Sequence, residues 1–180
     1  EVAAEVKVHF WHPRLKANLA IDRIRQGQLD VEDDLLEALT SIGISGAVYH
    51  EVRCLEGLAE FYLAAGNPQE AREHGEYLLA AATPGAHREL IAQAHRWRGE
   101  ALLAVEDYTA AESALQEALN LSQQITRPRL AWDIHGALAR LFRATGNEPA
   151  VETQEARIAE IVDTLVQNLT GTKWRTGLPL

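Results

Sequence analysis

Apolar residues recur at three- and four-residue spacing through most of the chain, and the recurrence itself repeats. In the stretch AQAHRWRGEALLAVEDYTAAESALQEALNLSQ (92–123) two such runs flank a break at Glu106-Asp107, which predicts two amphipathic helices joined by a tight turn. The same arrangement stands on either side. Small residues fall at Ala59, Gly99 and Ala139, an offset of 40 each time. Three positions later stand Tyr62, Leu102 and Phe142, then the turns Gly66-Asn67, Glu106-Asp107 and Gly146-Asn147, then Ala71, Ala111 and Val151. Small residues at two fixed places in each copy are what two closely approaching helices require. A glycine before Asn suits a helix C-terminus that needs φ > 0, and the Asn or Asp can cap the helix that follows. A fixed period with matching turn chemistry is the signature of a structural repeat.

The pattern predicts helices over 47–65, 69–82, 87–105, 108–124, 128–145 and 149–168. Pro68 and Pro128 sit at helix starts, where a missing N–H costs nothing. Before these, Pro13 is expected to start a helix over 14–26, with Leu15, Leu19 and Ile24 on its apolar side and Gly27 ending it. A second short helix over 30–42 is expected to take Asp30 as cap, to bury Leu35, Leu36 and Leu39, and to hold Glu32, Asp33 and Asp34 in its first turn. Gly27 stands 39 residues before Gly66, so this pair reads as a degenerate first copy. Residues 1–12 fit helix or strand equally. The last helix spaces Ala156, Ile158, Ile161, Val162, Leu165 and Leu169 to bury one side, and Trp174 and Leu178 of the tail are placed to fold back on it. The organisation is a single domain over 1–180: a degenerate copy at 13–45, clear copies at 46–85, 86–126 and 127–168, and a tail at 169–180.

Composition narrows the function. Hydrophobic residues make up 47% of the chain, enough for a sizeable core. The net charge of −9 argues against direct contact with nucleic acid, which needs clustered Lys and Arg. The single cysteine, Cys54, allows no internal disulfide and reads as a buried small apolar residue. No run of about 18 apolar residues and no leader pattern is present, so a cytoplasmic location with no membrane contact is the expectation. Methionine is absent and residue 1 is Glu, so the chain reads as part of a longer one.

The repeated residues resemble the tetratricopeptide (TPR) repeat, with its small residue in the first helix (Ala59, Gly99, Ala139), the large one three later, the turn, and the small residue of the second helix (Ala71, Ala111, Val151). Tyr108, Leu115 and Ala118 extend the match in the middle copy, and the resemblance covers about residues 46–168. The period is 40 rather than the usual 34 or so. Leu55, His95 and His135 replace the frequent Trp, and Arg98 replaces an apolar residue. The longer period, the run RPRLAWDIHGALARL (127–141) and the ending WRTGLPL are similar to the C-terminal repeats of bacterial LuxR-type ATPase activators such as the maltose-regulon activator, and of ATPase-linked class III nucleotide cyclases. The resemblance implies an all-α fold: a right-handed α-α superhelix, a TPR-like solenoid of about four antiparallel helix pairs.

Catalytic motifs are missing. There is no GxxxxGK[ST] and no GxSxG. His9 and His12 are spaced for a shared metal if helical but lack further ligands. His95 and His135, related by the repeat, are expected to pack against neighbouring helices. No catalytic residue, cofactor or metal is predicted. Trp97 and Trp132 are expected in packing roles, with Trp132 able to be half exposed.

What remains is a surface. In the family, outward positions of each first helix line the concave side and carry the ligand contacts. The resemblance places them at Arg53, Glu56, Glu60 and Leu63, then Gln93, Arg96, Glu100 and Leu103, then Asp133, Gly136, Arg140 and Arg143. Basic residues gather toward Arg96, Arg140 and Arg143, a set suited to an acidic peptide held by charge-assisted hydrogen bonds. The expectation is a non-catalytic interaction or sensor domain of a larger bacterial signalling or transcription regulator. Its partner would be a protein or peptide segment, other domains of the parent chain, or a small effector. A free-standing adaptor is the alternative, an enzyme with its site in the groove the remote one, and a homodimer through the last helix is open.

Overall fold

In the computed structural model the described residues are 2–42, 48–125 and 127–170, with side chains described from residue 11 to 168 within these spans. They form eight α-helices: α1 (Val2–Arg25), α2 (Glu32–Ser41), α3 (Val48–Ala64), α4 (Pro68–Ala82), α5 (Arg88–Ala104), α6 (Tyr108–Ser122), α7 (Pro128–Ala144) and α8 (Glu148–Thr170). No strand occurs among the described residues. The boundaries of α3–α8 agree with the periodicity to within two residues. Trp174 and Leu178 lie outside the described residues, as does the side chain of Leu169.

The N-terminal region differs from expectation. One helix runs through Pro13 rather than starting after it. An interior proline removes a backbone hydrogen bond; here tertiary packing prevails, for Pro13 is buried and its carbonyl accepts from Cys54 Sγ at 3.9 Å. Asp30 does not cap α2 either. Val31 holds the cap position without a side-chain bond, and Asp30 Oδ1 lies 2.8 Å from Arg23 Nη2. Leu36, expected inside, is exposed, while Leu35 and Ala38 are buried.

Four hairpins end their first helix on the same turn. Gly27, Gly66, Glu106 and Gly146 all have positive φ, at 80°, 79°, 62° and 72°. In each, the following N–H reaches back to a carbonyl five residues earlier: Gln28 to Arg23, Asn67 to Tyr62, Asp107 to Leu102 and Asn147 to Phe142, at 2.8–3.0 Å. This is the C-terminal closure that a left-handed residue permits. Glu106 adopts it without glycine's freedom. Asp107 and Asn147 then cap α6 and α8 by accepting from Ala110 N and Ala150 N; Asn67 makes no such bond.

The helices pack in sequence. Each touches the next, and α1, α3, α5 and α7 also touch in succession. The small residues mark the closest approaches. A Cβ on Gly99 would lie 2.6 Å from Leu115 Cγ, one on Gly57 2.6 Å from Leu35 Cδ2, and one on Gly75 3.2 Å from the backbone N of Arg98. Three apolar clusters follow one another along the stack: Ala17, Ala20, Leu35 and Ala38 with Cys54, Leu58 and Phe61; Val52, Leu55, Leu78 and Ala82 with Leu90, Ala94 and Trp97; Ala111, Ala114, Leu115 and Ala118 with Leu130, Ile134 and Leu138. In each, the front of a first helix closes on the pair before it.

Candidate functional site

The four first helices share a cleft of about 620 Å³. Arg25 comes from the end of α1; Glu60, Leu63 and Ala64 from α3; Arg96, Trp97 and Glu100 from α5; Arg129, Trp132, Asp133, Gly136 and Arg140 from α7. These residues meet because the repeat brings one helical face of each first helix to the same side.

Charge pairs line the wall. Arg25 binds Glu60 through two parallel bonds, Nε to Oε1 at 2.7 Å and Nη2 to Oε2 at 3.1 Å, the strong geometry for a guanidinium and a carboxylate. Glu100 is held from two sides. Arg96 donates to its Oε1 from one turn earlier on α5, and Arg140 of α7 to its Oε2 at 2.8 Å. Arg129 Nε reaches both oxygens of Asp133, at 3.0 and 3.2 Å. Two guanidiniums lie over aromatic rings: Arg96 at 3.7 Å from the Trp97 centroid and Arg129 at 5.0 Å from that of Trp132, positions where the ring face attracts a cation. Four arginines therefore stand against three carboxylates (Glu60, Glu100, Asp133), a local excess of one positive charge in a chain of net charge −9. Arg140 is about half exposed, while Arg96 and Glu100 are mostly covered. Arg96 Nε and Trp97 Nε1 are buried without a hydrogen-bond partner among the described residues, an arrangement that costs stability where it occurs.

Arg53, Glu56 and Gln93 do not enter this cleft. They line a smaller one of about 230 Å³ with Arg14, Asn18 and Tyr49. Glu56, expected to point outward, is buried. Its carboxylate accepts from Arg53 Nη1 at 3.1 Å, and Arg53 Nε donates to Asn18 Oδ1 at 2.6 Å. Burial pushes the Glu56 carboxyl above its ordinary value, with Arg53 opposing. Arg143 is also elsewhere: it pairs with Glu155 of α8 at 2.6 Å. Leu103 packs against the α5–α7 core.

Of the expected contact residues, Glu60, Leu63, Arg96, Glu100, Asp133, Gly136 and Arg140 are brought together. Arg25, Arg129 and Trp132 join them without having been expected. Arg129, Trp132 and Asp133 carried a signal, since they share one turn of α7 and a face with Gly136 and Arg140. Trp132, expected to pack, is 37% exposed on the cleft, whereas Trp97 is buried in the core as expected. Arg25 had no counterpart in the clear repeats, where Ala64 and Ala104 take its place. His135 Nδ1 meets Gln154 Oε1 of α8 at 2.7 Å, and His95 is half-buried on α5. Burial moves the His95 imidazole below its ordinary value. Cys54 is buried, its thiol pushed up to about 12 by that burial. No helix is long and apolar enough, among the described residues, to cross a membrane.

No protein-family model matches the chain, and no curated protein matches it at a significant level.

Proposed function

We propose that this chain is a non-catalytic binding module, a TPR-like right-handed superhelix that holds an acidic protein segment in the cleft of its first helices. The observation that carries the reading is the excess of guanidinium over carboxylate in the cleft, beside Trp97 and Trp132, on a chain that is otherwise acidic. The cleft crosses four helices, a run suited to an extended segment rather than a compact molecule. Arg140 and Arg129 offer charge-assisted hydrogen bonds, and the exposed Trp132 ring offers apolar contact. The repeat architecture and the sequence resemblance support a place in a larger bacterial signalling or transcription regulator. There the segment would shift the on/off equilibrium by its differential affinity for the two states.

The test is fluorescence anisotropy with a labelled peptide of alternating Glu and Leu and with its Gln-for-Glu analogue. The acidic peptide is expected to bind more tightly, more weakly as salt rises, and more weakly again with Arg140→Ala or Arg129→Ala. Equal affinity for the two peptides would sink the reading. Binding of small dicarboxylates by the same arginines, with neither peptide bound, would transfer it to a small effector.

A further inference from the structure

Three first helices bury the same row of positions. In α3 the row is His50, Cys54 and Leu58, in α5 Leu90 and Ala94 followed by the partly exposed Arg98, and in α7 Leu130, Ile134 and Leu138; each of these but Arg98 is at most 6% exposed. The turn glycines Gly27 and Gly66, which share one backbone conformation, set the register of α1 at 39 residues before α3. The row then falls on Trp11, Leu15 and Leu19, which are 49%, 63% and 62% exposed. Trp11 touches His50 with ring centroids 5.2 Å apart; the two leucines stand out from the fold. Elsewhere the cover is always of one kind, the preceding helix pair presenting alanine and leucine: Ala17, Leu35 and Ala38 over α3, Leu55, Leu78 and Ala82 over α5, Ala114, Leu115 and Ala118 over α7. The opposite end is mixed. On α8 the position equivalent to buried Leu35 and Leu115 is Glu155, exposed and paired with Arg143, while Ile158 and Val162, equivalent to Ala38 and Ile42, are partly exposed. A polar outer face is how a stack of repeats terminates; α1 lacks one, apart from Asp22 at the end of its row.

We infer that the front of α1 is the docking face for a further antiparallel helix pair of this same repeat, seated as each pair here is seated on the next. The partner is identified by the interface made three times within the chain, and the inference is independent of what the cleft holds. In sequence terms that pair would stand ahead of α1, with its second helix laying alanine and leucine across Leu15 and Leu19.

The test compares the 180-residue chain with an extended one in which residues 88–127, the α5–α6 pair and its connector, replace residues 1–8 and run directly into His9. His9 is the counterpart of Pro128, so the added pair meets α1 as it meets α7. In the natural chain, Leu15→Glu with Leu19→Glu is expected to move Tm by no more than about 2 °C, as exposed substitutions do. In the extended chain the same two changes are expected to lower Tm by roughly 8 °C or more, because they then bury two carboxylates. Equal shifts in the two chains would overturn the inference, and so would an extended chain that does not fold. Sedimentation of the natural chain is expected to give a monomer. A dimer dissolved by the two substitutions would also overturn it, by making a second copy the occupant.

Discussion

The two clefts are built from equivalent positions and end in opposite states. Glu56 of α3 and Arg96 of α5 are one repeat apart, as are Glu60, Glu100 and Arg140. In the smaller cleft, Glu56 turns inward and is closed off by Arg53 from its own helix. In the larger cleft, Glu100 is shared by Arg96 of its own helix and Arg140 of the next pair. Glu56, held by a partner one turn away on its own helix, is part of the scaffold. Glu100, whose second partner crosses from a neighbouring pair, keeps the half-exposed Arg140 at the surface. The repeat specifies where a side chain points, and the identity at that point decides between support and binding.

The comparison is broken most completely at α5, which both clefts share. Gly99→Val would drive a side chain into Leu115 and the α6 backbone, so a loss of about 3 kcal/mol in urea unfolding is expected; a loss below about 0.5 kcal/mol would mean the hairpins do not approach so closely. Glu56→Ala comes next. It leaves the half-buried Arg53 without its carboxylate, and a cost near 2 kcal/mol is expected with little change in peptide affinity. An affinity change without a stability change would put Glu56 in the binding surface after all.

Glu100→Ala tests the larger cleft. Removing it frees both Arg96 and Arg140, so acidic-peptide affinity is expected to rise a few-fold while stability falls by about 1 kcal/mol. Arg140→Ala should do the reverse for binding, weakening it about three- to tenfold, with stability held within about 0.5 kcal/mol because the arginine is half exposed. If both substitutions move affinity in the same direction, the arginines do not carry the binding.

The smallest effect is a pH dependence. Burial depresses the folded-state pKa of His95; Arg98 adds to this, and Glu117 and Glu76 oppose it. The unfolded chain therefore takes up the proton first. The contribution of His95 is complete above about pH 6.5 and is lost as pH falls through that value toward its lower folded one. Thermal unfolding at pH 7.5 and 5.5 is expected to show a smaller decline for His95→Gln than for the natural chain; equal declines would assign the dependence to other groups.

The helical fold was legible because turn chemistry and apolar spacing agree at one period, and Gly66, Asp107 and Gly146 announce the hairpins without tertiary information. The passage of α1 through Pro13 was not legible, since the local rule for proline is overridden only by packing on α3. The cleft was half legible. Glu60, Arg96, Glu100, Asp133 and Arg140 follow from helical phase alone. Glu56 and Arg143 share that phase, yet are removed from the cleft by partners, Arg53 and Glu155, that periodicity does not reveal. Arg25 was missed because it enters from the degenerate pair, where the repeat gives no template.

Every substantial helix contact joins elements one or two apart in the chain. Such an object behaves mechanically as a row of springs rather than a block. Load applied at its two ends would pass through each pair in turn, and the pairs would give way singly rather than together. A segment lying from α1 to α7 would act as a splint across three of those joints. Its departure would be felt as a change in compliance at the far ends, with no need for any single pair to change shape.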